Sequence, residues 1–253
     1  MNLSEFVKRK LMARTPQNGC YGVFETFEGA AAAAPKSEAL GYDAAQTSTW
    51  YRDLMERVHH DDYPLLYWFE KALLDSRRVV EIGGHVGVAY YAFATKLSYP
   101  EDLRWTIVDV PSVTVEGENL AKKRQQTQVS FANDFTEALA PMDILMASGS
   151  LQYVPGPMLP EKLRSMGVRP KHIMIHKTPV IEKPKGYVTL QNIGTAWCPY
   201  RIFSYSELVQ PLIDMGYELV DTWAKIRRIE IPRRPDLRVE HYSGYYLRDR
   251  SLS

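Results

Sequence analysis

Between Tyr63 and Ser253 the apolar residues fall into two alternating periods. Short runs that are apolar on both faces read as buried strands: RVVEI from Arg78, RWTIVDV from Arg104, VSFAND from Val129, MDILMAS from Met142, HIMIH from His172, YELVDTWA from Tyr217 and SGYYLRD from Ser243. Segments with a helical apolar face lie between the early ones, as at 88–96 and 160–165, and another, 63–74, precedes the first strand. Strands buried on both faces and joined by helices predict parallel βαβ units wound on both sides of one sheet. The last pair differs, because residues 223–241 hold no good amphipathic helix, only the basic, proline-containing IRRIEIPRRPDLRVE. Those two strands are expected to pair antiparallel across a long excursion. The predicted fold is α/β and Rossmann-like, a seven-stranded, mostly parallel sheet with an antiparallel C-terminal strand. Residues 1–62 read as a loop-rich extension or lid and 63–253 as the main domain. Ala30 to Pro35 reads as a short helix ended by its proline and serving as a connector.

Composition narrows the function without naming it. A chain of 253 residues, 45% hydrophobic and 24% charged, can bury a full core. Lysine and arginine total 31 against 30 acidic residues, so no global basic field favours nucleic acid or an anionic membrane, and a small-molecule partner is expected. Cys20 and Cys198 form neither a CxxC nor a metal-ligand spacing, which fits a reducing compartment. The opening MNLSEFVKRKLMART never reaches a signal-peptide apolar core, and no run of ~20 apolar residues follows. A cytoplasmic protein is the expectation.

The first strand ends in Glu81-Ile82-Gly83-Gly84-His85-Val86-Gly87 and runs straight into a helix. Glycines there let the chain turn sharply and bring its backbone against a ligand, with the N–H groups of the helix start turned toward it. An ordinary strand-to-helix turn needs the same residues. Asp109 closes the second strand, where a carboxylate accepts hydrogen bonds from the hydroxyls of an adenosine ribose; this suits a nicotinamide enzyme and a methyltransferase equally. Glu81 favours the second reading, since an acid beside the turn suits a ligand carrying an ammonium and a sulfonium better than a pyrophosphate. Asn133 and Asp134 follow the third strand and could accept the exocyclic amine of an adenine, with Phe135 packed on the ring; they could equally bond their own backbone.

These residues resemble a known family. Glu81-x-Gly83-Gly84-x-x-Gly87 is similar to the first motif of class I S-adenosylmethionine-dependent methyltransferases, and Asp109, Asp134 and the strand 143–147 fall where that family has its second, third and fourth motifs. The chain more closely resembles a divergent bacterial group of methyltransferase homologues encoded among polysaccharide and secondary-metabolite genes. The matching segments are YGVFETFEGA, EIGGHVGVAYY, WTIVDVPSV, ASGSLQY, TPV with the later TLQNIG, and SYSELVQPLIDMGYELVD. The resemblance implies the class I fold, S-adenosylmethionine as cofactor and methyl transfer, with oxygen of a saccharide or secondary metabolite as first acceptor; nitrogen of a small amine or amino acid, or a protein that binds the nucleoside cofactor without methylating, are the alternatives. It brings no established acceptor with it. His85 stands where many members carry a third small residue; it either hydrogen-bonds the cofactor or covers the turn.

In an open α/β sheet ligands lie beyond the carboxyl ends of the strands where strand order reverses, between the first and fourth strands here. Ser148 and Gly149 are therefore expected beside the transferable methyl, with Gln152 and Tyr153 as acceptor contacts and Tyr153 near the chemistry. His176, past the fifth strand, is the candidate general base, although a histidine ending an apolar strand also serves as a satisfied structural group. Alignment alone can supply ~7–11 kcal/mol of the barrier, so a base is not obligatory. Gln191, Asn192, Tyr200 and Arg201, in a loop ahead of the helix opened by Ser204, are further acceptor candidates, Arg201 for a phosphate or carboxylate. Tyr21 and its neighbours either fold over the acceptor or pack on the sheet. His59-His60-Asp61-Asp62 reads as the surface end of a helix and not a metal site, because adjacent helical residues point about 100° apart. The run 227–238 reads as solvated, with a homodimer contact or a grip on a phosphorylated acceptor as the alternative.

Overall fold

The computed structural model describes residues 12, 14–35, 39, 40, 51, 53–138 and 141–252. All seven expected strands form: β3 (Arg78–Ile82), β4 (Arg104–Val108), β5 (Val129–Ala132), β6 (Ile144–Ser148), β7 (His172–Ile181), β10 (Tyr217–Ile229) and β11 (Val239–Asp249). Their order across the sheet is β5-β4-β3-β6-β7-β11-β10. β5 to β7 are parallel, and β11 lies antiparallel to both β7 and β10. The order reverses between β3 and β6. Helices α2 (Tyr63–Ala72), α3 (Val88–Ala94), α4 (Pro111–Lys123), α5 (Phe135–Ala138) and α6 (Leu159–Ser165) cover the sheet.

Two apolar cores follow from this layering. One, around Phe69, Tyr90, Phe93 and Trp105, lies under α2 and α3; the other, around Leu145, Leu163, Ile175 and Leu212, lies on the opposite face. Alternate residues of each strand point to opposite faces, so β6 sends Ile144 and Met146 to the first core and Leu145 and Ala147 to the second.

Three readings of the sequence are corrected. Residues 189–201 are not a loop: they lie in a hairpin of β8 (Tyr187–Asn192) and β9 (Ala196–Ser204), to which β1 (Cys20–Phe24) adds antiparallel along β8 and the short β2 (Ala39–Leu40) parallel along β9. The prolines hid this. β7 continues past His176 through Pro179, and its last residues, Val180 and Ile181, pair with β9, which itself carries Pro199. Second, the run 227–238 is not simply solvated. The two long strands form one hairpin; Arg228 and Arg238 pair with Glu240, Arg234 pairs with Asp236, and Ile229, Ile231, Leu237 and Val239 are buried in one apolar cluster with Tyr187, Tyr200 and Ile202. Third, Asp61 and Asp62 sit in a turn of 3₁₀ helix just before α2, where Asp61 binds Lys225 and Asp62 binds His176 and Lys177. The segment therefore joins the chain's first third to β7 and β10.

Tyr21 to Phe24 belong to the sheet through β1, followed by α1 (Phe27–Ala33), which holds most of the alanine run. Among the described residues no helix is long and apolar enough to cross a membrane, and no group of three histidine, cysteine or acidic side chains is placed to hold a metal ion.

The β10–β11 hairpin tolerates no side chain at Gly244, where a Cβ would lie 2.1 Å from the indole of Trp223 on the paired strand. Gly244→Ala is expected to cost about 1–3 kcal/mol by displacing that ring, read as a lowered urea midpoint at unchanged slope.

Candidate active site

Three strand ends are pinned together where the sheet reverses. Gly83 adopts φ +67, which a residue with a Cβ strongly disfavours, and its N–H donates to the Val108 carbonyl at 2.7 Å. A Cβ there would also lie 2.3 Å from Ser150 Cβ, and the Ser150 hydroxyl donates to the Ile82 carbonyl. Asp109 completes the connection: its carboxylate accepts the His85 N–H at 2.9 Å and the Val110 N–H at 2.8 Å. The loops after β3, β4 and β6 thereby hold each other.

Beyond them lies a cavity of about 790 Å³, within the range of small-molecule sites. Gly83, His85, Asp109, Asn133, Asp134, Phe135, Ser148, Gly149, Tyr153 and Arg201, all expected site residues, line it. Burial raises the Asp109 pKa while its two backbone donors lower it. Asn133 donates to the Asp109 carbonyl and to Thr114, which fixes its amide. Asp134 accepts the Thr136 N–H and hydroxyl, so one of its oxygens also starts α5.

His85 is placed inside the site. It stands in the left-handed region at φ 55, 8% exposed, its ring stacked on Tyr51 at 3.8 Å between centroids. Neither ring nitrogen has a hydrogen-bond partner among the described residues. Burial pushes its pKa down to about 4, so the imidazole is neutral at pH 7, with one donor and one acceptor to offer.

Other expected residues lie elsewhere. Glu81 is not on the cavity wall: its carboxyl is buried behind Gly84, accepting from the Trp105 indole at 3.0 Å. Burial chiefly, opposed by that hydrogen bond and reinforced by Asp109, raises its pKa to about 8. Gly84 and Gly87 likewise serve the turn without lining the cavity. His176, proposed as base, is 1% exposed and off the wall. The Trp223 indole donates to its Nδ1 at 2.8 Å, which puts the proton on Nε2, 2.9 Å from Asp62. Both nitrogens are thus committed, and burial lowers its pKa; it is a structural histidine.

Among the acceptor candidates, only Tyr153 and Arg201 reach the cavity. Gln191 is buried and accepts the Tyr153 hydroxyl at 2.6 Å, so it positions that ring from behind. Asn192 holds the hairpin turn by bonding Thr15 and Gly194. Tyr200 is fully buried with its hydroxyl on Tyr242. Gln152 is buried off the wall, and Tyr21 faces the β8 register position Leu190 from the outer strand of the sheet. The wall also takes residues that sequence reasoning missed: Phe27 from α1, Tyr51, Lys162, Cys198, Pro199 and Phe203. No local motif marks them: Cys198, Pro199 and Phe203 arrive with β9, which pairs with the end of β7, and Phe27, Tyr51 and Lys162 come from three other segments.

No protein-family model matches the chain, and no curated protein sequence matches it. Solved structures do. The chain is similar to the glycopeptide N-methyltransferase MtfA complexed with S-adenosyl-L-homocysteine, with 10% identity over 76% of this chain and 92% of that one and a TM-score of 0.50. It is also similar to the magnesium protoporphyrin IX methyltransferase ChlM from Synechocystis PCC 6803, with 11% identity over 81% and 84% of the two chains and a TM-score of 0.49. For the N-terminal domain of EvdMO1 the identity is 13% over 99% and 98%, with a TM-score of 0.47. The likeness to MtfA shows the fold alone: the chain has the Rossmann-like, mostly parallel α/β sheet of that structure, as the strand order already indicated.

The Asp62 network has a checkable energetic signature. Burial would raise the Asp62 pKa, but the His176 N–H and the Lys177 ammonium outweigh it and hold the group at about 2. Because the folded pKa lies below the unfolded value, this stabilisation is complete above the unfolded pKa and is lost as pH falls toward about 2. Asp62→Ala is expected to cost roughly 3 kcal/mol at pH 7, with the gap to the native chain narrowing below pH ~4, measured by urea unfolding across that range.

Proposed function

We propose that the chain is an S-adenosylmethionine-dependent methyltransferase that methylates a hydroxyl of a small polar acceptor in the cytoplasm. The observation that carries this reading is the convergence of the loops after β3, β4, β5 and β6 on one cavity at the point where strand order reverses. The residues present fit the cofactor. Asp109 keeps a carboxylate at the end of β4, poised for ribose hydroxyls, while Asn133, Asp134 and Phe135 offer an amide, an acid and a ring face to an adenine. His85 brings to the same wall two ring nitrogens without a partner among the described residues, which suits a polar ligand that completes them. That neighbours such as MtfA and ChlM are complexed with S-adenosyl-L-homocysteine and SAM agrees with this choice.

When bound, the cofactor supplies an electrophilic methyl group on a sulfonium. The chain's own part is to orient and to exclude water. Ser148 and Gly149 floor the cavity between the two ligands, and the Tyr153 ring, fixed by Gln191 and edge-on to Tyr200, forms the acceptor wall. With His176 committed to Asp62 and Trp223, alignment is asked to do most of the work, and the acceptor proton passes to water or to a group the acceptor carries. Transfer to oxygen accords with the saccharide and secondary-metabolite setting that the sequence resemblance implies.

Calorimetric titration with adenosylhomocysteine tests the reading. Micromolar binding is expected, weakened about tenfold to a hundredfold in Asp109→Ala, with Asp109→Asn retaining the loop's N–H acceptor as a folding control. Folded protein that binds neither adenosylhomocysteine nor adenosylmethionine would overturn it.

A further inference from the structure

The wall of the cavity carries on β9 a cation with no ion-pair partner among the described residues. Three arginines among the described residues are of intermediate burial, Arg77, Arg201 and Arg248, and the others are exposed. Arg77 pairs with Asp102 and Arg248 with Glu218, both outside the cavity. Arg201, on β9, lines the cavity and makes no ion pair with the described residues; its one hydrogen bond among them is from a guanidinium N–H to the Gly156 carbonyl at 3.0 Å.

Its setting is apolar. The guanidinium lies 4.8 Å from the centroid of Phe27 and 5.8 Å from that of Phe203. Val154, Pro155, Pro157 and Pro199 also line the cavity. Burial pulls the Arg201 pKa down, opposed only at longer range by Glu207, Glu161 and Glu28. Lys162, the other cation of the wall, is different: it stands over Phe135, within the field of Asp134. An arginine taken out of water and clamped between aromatic rings is costly unless an anion completes it, and its planar fork matches a carboxylate or phosphate through paired hydrogen bonds.

We infer that the acceptor bears an oxyanion, carboxylate or phosphate, on a flat apolar body, and that Arg201 pairs with it between Phe27 and Phe203. This rests on the methyltransferase reading for the word acceptor, though the anion site itself does not depend on it. The cavity then has two poles. Acids at the ends of β4 and β5 face one ligand, and a cation on β9 faces the other, so an acidic acceptor enters with its charge pointing away from the cofactor side.

The test uses the purified chain, titrated calorimetrically with benzoate, phenyl phosphate and benzamide, each with and without saturating adenosylhomocysteine. At least one of the two anions is expected to bind tenfold or more tightly than benzamide, which has the same ring without the charge, and the tighter of them identifies carboxylate or phosphate. Arg201→Gln is expected to abolish that preference while leaving adenosylhomocysteine affinity and the melting temperature near native values; Arg201→Lys, which keeps charge without the fork, falls between. Equal binding of benzamide and both anions, absence of binding by either anion, or an unchanged preference in Arg201→Gln overturns the inference. Should Arg201→Gln fail to fold, the native chain's ratio of anion to benzamide affinity decides alone. An Arg201-dependent anion preference in a chain that binds no adenosylhomocysteine counts against the methyltransferase reading and not against this site.

Discussion

The architecture of the candidate site depends on a mutual pinning of three strand ends: Gly83 N–H on the Val108 carbonyl, the Ser150 hydroxyl on the Ile82 carbonyl, and the Asp109 carboxylate on the His85 and Val110 N–H groups. Each connection satisfies a polar group that would otherwise be buried unpaired beside the apolar strands. Together they fix the glycine turn at the start of α3 and hold the end of β4 and the loop after β6 against it. The cavity is what remains in front of that junction. Its preorganisation comes from hydrogen bonds already made without any ligand, so little ordering is left for binding to accomplish.

Behind the junction a second layer holds the sheet to the rest of the chain. Asp62, His176 and Trp223 run in one line from the segment before α2, through β7, to β10, and Lys177 and Lys225 balance the two acids Asp61 and Asp62. Paired in this way, the charges avoid the penalty of isolated buried ions and specify how the first third of the chain meets the sheet. The same commitment removes His176 from proton transfer. A histidine at a strand's carboxyl end is equally good for either job, and only the partners of both nitrogens decide between them.

The parallel core was legible because its strands are apolar on both faces and punctuated by glycine turns and helical periods, and Asp109, Asn133 and Phe135 follow from their places at strand ends. Less visible was the β8–β9 hairpin, since Pro179 and Pro199 argue against strands and both faces of the hairpin are buried by elements distant in sequence. The three-residue turn 193–195, with Gly194 at φ 92, was the one local signal that could have found it. Glu81 was misassigned for a related reason: an acid at a strand end can face the ligand or support the turn from behind, and the spacing is the same. Phe27 and Tyr51 have no sequence signature as wall residues. Arg201 was legible as a type of chemistry, but that it has no ionic partner among the described residues is a property of the folded chain.

The most direct test of the central claim is a crystal structure of the chain grown with adenosylhomocysteine. The account predicts nucleoside density in the cavity, with the ribose hydroxyls on Asp109, the adenine against Phe135 and the amino-acid portion between the glycine turn and His85. Density outside this cavity, or a cavity that stays empty at saturating ligand with the Tyr51–His85 stack unchanged, would contradict it.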